Sequence, residues 1–207
     1  MIRRLALLPL LLASLTAAPR EKPAQLEWDA LKLPSDLPEA PRKLVADALT
    51  TARDLQLSAY IFGSADPDQG GFDCSGSMVY LLHRAGLEPP RSSSAQFDWI
   101  EASGNLVHVP PGARDLTHPA FNLLQPGDLI FWSGTYQPTD GRTNGVTHVQ
   151  MFLGWEKDGR PVMIGSTDGR SYRGVPRCGF GVYDLRVPRA DSKSRLVGYG
   201  TPPGLLP

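Results

Sequence analysis

The chain has 207 residues, with 21 basic and 21 acidic side chains, so its formal net charge is zero. A neutral chain without a basic block gives no electrostatic reason to expect a nucleic-acid partner. Hydrophobic residues make up 41% of the chain, which is enough apolar material for a folded domain and excludes wholesale disorder.

The N-terminus has the organisation of a secretory signal peptide. Two arginines precede an apolar run over 5–15, and small residues follow it. The run is too short to span a bilayer, which needs about 20 apolar residues, and it contains Pro9. We expect residues 1–18 to be a leader, so that the mature chain is exported, periplasmic or extracellular, with no integral membrane span; an uncleaved anchor or a buried N-terminal helix is the alternative. Residues 19–37, rich in Pro, Lys and Glu, are predicted to be a linker or N-terminal arm, followed by one domain over 38–207.

Three helices are predicted in the first half of that domain. Apolar residues at three- and four-residue steps predict the first helix. The second begins at Cys74 and stops before Gly86 and two prolines. The third is short and has a serine in the capping position. The predicted helices cover 38–57, 74–85 and 92–102.

The second half of the chain is predicted to form β-strands. Asp158-Gly159 is a strong hairpin signal between two apolar runs. Because helices come first and hairpin-linked strands follow, the order favours an α+β fold with an antiparallel sheet over a doubly wound parallel sheet. The predicted strands cover 106–109, 127–132, 146–155, 160–164, 179–187 and 196–199.

One cysteine and one histidine suggest nucleophilic catalysis. Cys74 is predicted in the first turn of a helix, where peptide dipoles and free N–H groups favour the thiolate, lower the thiol pKa and can stabilise an oxyanion. His148 lies on a predicted strand and can serve as the base if that strand packs against the helix start. Each residue also has a structural interpretation, as a small core residue or a structural histidine, and chain spacing alone cannot join them.

A disulfide between Cys74 and Cys178 is the alternative to a reactive thiol, because export favours disulfide bonds. The four histidines lack zinc-ligand spacing and the chain has no Cys-x-x-Cys pair. Neither a metal nor an organic cofactor is therefore implied.

Five ordered segments resemble motifs of the NlpC/P60 cell-wall cysteine peptidases. GFDCSGSMVY at 71–80 is similar to the nucleophile motif nearly residue for residue, and THVQMFLG at 147–154 is similar to the histidine motif. The resemblance implies a papain-like α+β fold with N-terminal helices packed on an antiparallel sheet. It also implies hydrolysis of peptidoglycan stem peptides, typically between γ-D-glutamate and a diamino acid. The other matching segments are 60–63, 86–96 and 124–132.

The resemblance also assigns roles to individual residues. It implies that Cys74 is the nucleophile and His148 the base, and that the hydroxyl of Tyr60 lies near the oxyanion site. Asp73 and Ser75 flank the nucleophile where the family often contacts substrate, with helix capping as the alternative role. No metal ligand is implied.

The chain departs from the family at the third catalytic position. The family usually has a polar residue, most often His, just after the strand that follows the catalytic-His hairpin, and Gly165 aligns there. Ser166 or Asp168 is then expected to orient the catalytic imidazole. Arg91 and Gln96 are expected to line the cleft, with an ordinary surface or structural role as the alternative.

Two other functions remain open from the sequence. One is a different Cys–His acyl chemistry on the same scaffold, such as an amidase or an acyltransferase. The other is a catalytically impaired wall-binding protein, which the glycine at position 165 suggests.

Overall fold

The computed structural model describes residues 21–206, so the predicted leader over 1–18 lies outside the described residues. Three α-helices and nine β-strands are found in this part of the chain. The helices are α1 (Glu39–Leu55), α2 (Cys74–Arg84) and α3 (Ser93–Ala102). The strands are β1 (Leu31–Lys32), β2 (Ala59–Tyr60), β3 (Gly71–Phe72), β4 (Leu106–His108), β5 (Leu129–Ser133), β6 (Val146–Glu156), β7 (Pro161–Tyr172), β8 (Val175–Asp184) and β9 (Arg195–Gly200).

Seven strands form one antiparallel sheet. Its order is β4-β9-β5-β6-β7-β8, and β1 pairs with the far end of β6. The two-residue strands β2 and β3 form a separate parallel pair just before the second helix. Helices followed by an antiparallel sheet confirm the predicted α+β fold class.

The sheet carries an apolar core on each face. On one face, α2 and α3 pack against β6, and α1 packs beside α2. The other face is covered by long loops around a second cluster that includes Trp132 and Tyr199. Because both faces are covered, nearly every residue of β6 is buried. α1 buries the apolar face that its periodicity predicted: Leu44, Val45, Ala48, Leu49 and Ala52.

β7 and β8 form a longer hairpin than the sequence predicts. β7 continues to Tyr172 and β8 begins at Val175, because the two strands keep pairing after the apolar run of β7 has ended. Arg173 and Gly174 connect them with φ angles of 51° and 78°. Two consecutive positive φ angles match the twist of a tight hairpin.

The segment before α1 docks on the sheet. The Cys178 N–H donates to the carbonyl of Glu21 at 3.1 Å, and the Val182 N–H donates to the carbonyl of Ala24 at 2.9 Å. The arm therefore lies along β8, the end strand of the sheet, before β1 joins β6. From residue 21 to residue 206, no helix is both long enough and apolar enough to cross a membrane.

Candidate active site

The start of α2 is held by one aspartate. Cys74 is the first residue of the helix and Asp73 is its N-cap, accepting from the Gly76 N–H at 2.6 Å. The same carboxylate accepts from the Gly63 N–H at 2.9 Å, which ties the preceding loop to the helix. A Cβ at Gly76 would lie 2.0 Å from the carbonyl oxygen of Ser64, so only glycine lets loop and helix approach so closely.

The residues predicted to contact substrate near Cys74 also form a structural network. Arg91 binds both carboxylate oxygens of Asp73, at 2.8 and 3.1 Å, and donates to the Ser75 hydroxyl at 3.0 Å. Gln96 is fully buried, and its amide nitrogen donates to the carbonyls of Ser75 and Pro90. Asp73, Ser75 and Arg91 line the cavity at Cys74. Gln96 does not line it, but it holds the backbone of Ser75 through a hydrogen bond.

The Cys74 side chain is 5% exposed and belongs to the main apolar core. Burial, followed by the negative charge of Asp73, raises its pKa, while a backbone hydrogen bond from Val149 and the hydroxyl of Tyr60 favour the thiolate. The predicted net lowering of the thiol pKa is therefore wrong, because desolvation outweighs the helix N-terminus. Burial and Cys74 together raise the pKa of Tyr60, which stays a hydroxyl donor.

His148 is the third residue of β6 and is 7% exposed. It lies opposite Trp132 of β5, with ring centroids 5.7 Å apart. Burial, and then the positive charge of Arg170, lowers its pKa well below the usual value. The two shifts favour the neutral forms of the thiol and of the imidazole.

The cysteine and the histidine open onto adjoining cavities. His148 lines a cleft of about 750 Å³, and Cys74 lines a smaller cavity beside it. The backbone hydrogen bond to Cys74 comes from Val149, the residue after His148, which places the sulfur beside this stretch of β6. The two cavities share the walls Tyr60, Phe62, Tyr136 and Thr147.

An aromatic pair forms the outer rim of both cavities. Phe62 is 75% exposed and Tyr136 is 39% exposed, and their rings meet edge to face with centroids 6.1 Å apart. Tyr136 belongs to the polar loop between β5 and β6, so this loop borders the site.

Of the two residues expected to orient the imidazole, Ser166 lies in the core and Asp168 lies in the cleft. Ser166 is fully buried and donates to the carbonyl of Phe72 at 2.7 Å, which ties β7 to β3. Asp168 is exposed and lines the same cleft as His148. The space that a side chain at Gly165 would need is occupied by Gln150, whose Cγ would lie 2.9 Å from such a Cβ.

Cys74 and Cys178 are both free thiols in the structure. The structure therefore does not contain the alternative disulfide between these two cysteines.

Comparison with known proteins identifies the family. The model of the NlpC/P60 family matches residues 58–173, more than half of the chain. The chain belongs to the NlpC/P60 family. The matched range contains α2, the smaller cavity at Cys74, most of the wall of the larger cleft, and β7 to its last residue.

Curated relatives of this NlpC/P60 chain are similar over part of its length. A Gamma-DL-glutamyl hydrolase of Bacillus subtilis is 31% identical over 96 residues, which are 46% of this chain and 18% of the relative. A probable endopeptidase p60 of Listeria monocytogenes is 28% identical over 143 residues, 69% of this chain and 21% of the relative. A probable endopeptidase of Mycobacterium bovis is 33% identical over 129 residues, 61% and 25% of the two chains. The chain thus spans a quarter or less of these relatives.

Among solved structures, the chain is similar to an NLP/P60 family lipoprotein-like protein of Staphylococcus aureus. The TM-score is 0.45 at 25% identity, over 82% of this chain and 43% of the other.

Sequence reasoning missed two neighbours of His148, namely Arg170 and Gln150. Gln150 carried a signal, because it lies two residues after His148 on the same face of one strand and opposite Gly165 in the hairpin. Arg170 carried none, because its placement depends on an irregular register between β7 and β8.

Proposed function

We propose that this NlpC/P60 protein is an exported cysteine endopeptidase that hydrolyses peptidoglycan stem peptides at the bond between γ-D-glutamate and a diamino acid. The observation that carries the proposal is the placement of Cys74. Cys74 is the first residue of a capped helix and its sulfur accepts a hydrogen bond from the hydroxyl of Tyr60. It also lies beside the strand that holds His148.

The site can carry out acyl transfer in two steps. His148 takes the thiol proton as Cys74 attacks the scissile carbonyl, and the oxyanion faces N–H groups of the α2 start and the hydroxyl of Tyr60. The intermediate collapses to a thioester when His148 gives the proton to the departing amine. Water, deprotonated by His148, then attacks the thioester, which releases the carboxylic acid and restores the thiol.

In the proposed mechanism the proton moves from the Cys74 thiol to the His148 imidazole during the reaction and not before it. Burial raises the pKa of Cys74 and lowers that of His148, which favours the uncharged forms of both groups in the free protein. Thiolate and imidazolium then form together, in a site from which the substrate has displaced water.

The substrate class is supported by the family and by the relatives. The names of the similar proteins include a Gamma-DL-glutamyl hydrolase and several probable endopeptidases. The two adjoining cavities, of about 750 and 260 Å³, leave room for a peptide beside Cys74 and His148.

The test is digestion of purified peptidoglycan and of a synthetic γ-D-glutamyl-diamino acid peptide, with products identified by mass. Wild type and Cys178→Ala should release the same fragments, and Cys74→Ala and His148→Ala should release none. Equal release by Cys74→Ala would reject the mechanism. A product mass that shows amide loss or transfer to an amine would favour an amidase or an acyltransferase.

The export proposal rests on the predicted leader over 1–18, with its apolar run over 5–15. Fractionation of cells that express the full chain should place it outside the cytoplasm, shortened at its N-terminus. A chain without residues 1–18 should stay inside, and equal export of both forms would contradict the proposal.

A second candidate function is wall binding without turnover. It is favoured by the glycine at position 165 and by a positively charged neighbour of His148. Retention on insoluble peptidoglycan by wild type and Cys74→Ala alike, without any release of fragments, would support this candidate.

A further inference from the structure

Arg170 approaches one ring nitrogen of His148, as the third group of a catalytic triad does. Its Nε lies 3.5 Å from Nε2 of the imidazole and points its hydrogen at that nitrogen. Its guanidinium carbon lies 4.0 Å from the centre of the Trp132 ring, a typical cation–π distance. Trp132 itself is fully buried opposite His148, so a rigid ring holds the arginine in place.

A β-bulge in the β7–β8 pairing places Arg170 beside His148. The pairing of β7 with β8 shifts register between Thr167 and Arg170, and the two residues between them are exposed. Such a bulge changes which face of a strand a side chain occupies, and bulges are common beside active sites.

Two other positions cannot supply the third group, and one buried side chain is a rival to Arg170. Gly165 contributes no side chain, and the space beside it is filled by Gln150. The hydroxyl of Ser166 is used by the carbonyl of Phe72. Gln150 is fully buried, and its amide oxygen and nitrogen are without a hydrogen-bond partner among residues 21–206, which makes it the rival to Arg170.

The chemistry of an arginine differs from that of the usual third residue. A guanidinium only donates hydrogen bonds, so Nε2 of His148 must be the unprotonated nitrogen and Nδ1 must carry the proton. If His148 were protonated to an imidazolium, its Nε2–H would point at the positively charged guanidinium of Arg170, which is unfavourable. An acceptor at this place, by contrast, stabilises the imidazolium.

We propose that Arg170 is the positioning residue of His148, and that it fixes the neutral imidazole in the Nδ1–H tautomer and disfavours the imidazolium. The inference deepens the proposed function, since it concerns the base of that reaction. In this tautomer Nε2 is the ring nitrogen without a proton, so His148 can accept the proton of Cys74 only after the guanidinium has left Nε2, for example when an anionic group of the substrate binds Arg170.

The charged and titratable groups around His148 come from several elements. A correct test must separate Arg170 from them. They are Cys74 on α2, Tyr60 on β2, Tyr136 on the β5–β6 loop, Asp168 and Arg170 on β7, and Lys193 before β9.

The experiment is a pH titration of ¹⁵N-histidine-labelled protein by NMR, which reads the tautomer and the pKa of His148 directly. The His148 signals are assigned by their loss in His148→Ala. Arg170→Met should raise the pKa of His148 by about one unit or more and convert a single Nδ1–H tautomer into a mixture. Arg170→Lys keeps the charge and should leave the pKa low.

Two further variants make the test decisive. Lys193→Met removes another cation from the same cleft and should leave the tautomer of His148 unchanged. The proposal is overturned if wild type shows the Nε2–H tautomer, if Arg170→Met leaves tautomer and pKa unchanged, or if only Gln150→Leu changes them. These measurements need no substrate, so their outcome is independent of whether stem peptides are cleaved.

Discussion

Asp73 serves two opposing purposes at the nucleophile. Its carboxylate caps α2 and binds Arg91, which fixes the position of the cysteine. The same negative charge raises the pKa of the Cys74 thiol. The carboxylate that stabilises the start of α2 therefore also disfavours the thiolate form of Cys74.

Replacing Asp73 with Asn should lower the thiol pKa. The neutral amide removes the repulsion of the thiolate and leaves Arg91 as a net positive neighbour, so a fall of about one unit is expected. The measurement is the rate of Cys74 alkylation by iodoacetamide against pH, in a Cys178→Ala background. Asp68→Asn, an exposed acid in the preceding loop, is the matched control. An unchanged or raised pKa in Asp73→Asn would contradict this view of the site.

At the scale of elements, the junction between the loop and α2 depends on the absence of one side chain. Gly76→Ala should destabilise the fold by about 1–3 kcal/mol, although alanine is the better helix former, because its Cβ would collide with the Ser64 carbonyl. Urea unfolding measures the change. Gly112→Ala, at a position with open space and no positive φ, should be nearly neutral. Equal effects of the two substitutions would refute the packing argument.

The entry to β5 contains a buried acid whose charge depends on pH. Asp128 is 2% exposed, and its carboxylate accepts from the Thr201 hydroxyl at 2.7 Å and the Gln125 N–H at 3.0 Å. Burial raises its pKa to about 6. The folded state thus holds the proton more tightly than the unfolded chain, whose aspartate pKa is about 3.9.

This acid should make the protein more stable as the pH falls through 6. The stabilisation is fully present below the unfolded pKa and is lost as the pH rises through the folded pKa. Relative to Asp128→Asn, wild type should gain about 1.4 kcal/mol of unfolding free energy between pH 8 and pH 5. Denaturant unfolding of both proteins at the two pH values gives the difference. A constant difference, or one of opposite sign, would exclude the raised pKa.

The helices were predictable from the sequence to within one or two residues at each end, because periodicity and caps are local. α1 ends at Leu55, the last residue of its apolar periodicity, and of the two serines that could cap α3, Ser92 or Ser93, the structure uses Ser92. The β7–β8 hairpin was not predictable in length, because its turn at Arg173-Gly174 and its bulge are set by pairing between strands.

The same limit applies to the candidate site. Motifs located Cys74 and His148 in the chain, and their catalytic roles stay predictions. Burial of the thiol and the approach of Arg170 arise from tertiary packing, which motif spacing does not encode.

At the scale of the whole molecule, the N-terminal arm covers an end of the sheet. Its bonds to Cys178 and Val182 protect β8, and Ala24 and Leu31 are buried in the main core. An uncovered end strand offers free N–H and C=O groups to other chains.

Removing residues 1–37 should therefore destabilise the protein and promote association through β8. Removing only residues 1–20 leaves these contacts in place and is the matched control. Thermal unfolding should show a lower midpoint for the longer deletion alone, and light scattering should show larger particles. Equal behaviour of the two truncated chains would mean that the arm contributes no stability.

The central claim is that the sulfur of Cys74 becomes covalently bonded to the substrate's acyl group. Rapid acid quenching of a reaction with a γ-D-glutamyl-diamino acid peptide, followed by peptide mapping by mass, tests it most directly. Wild type and Cys178→Ala should carry the acyl group on the peptide that contains Cys74, and Cys74→Ala should carry none. An adduct on another residue, or continued turnover in Cys74→Ala, would contradict the account.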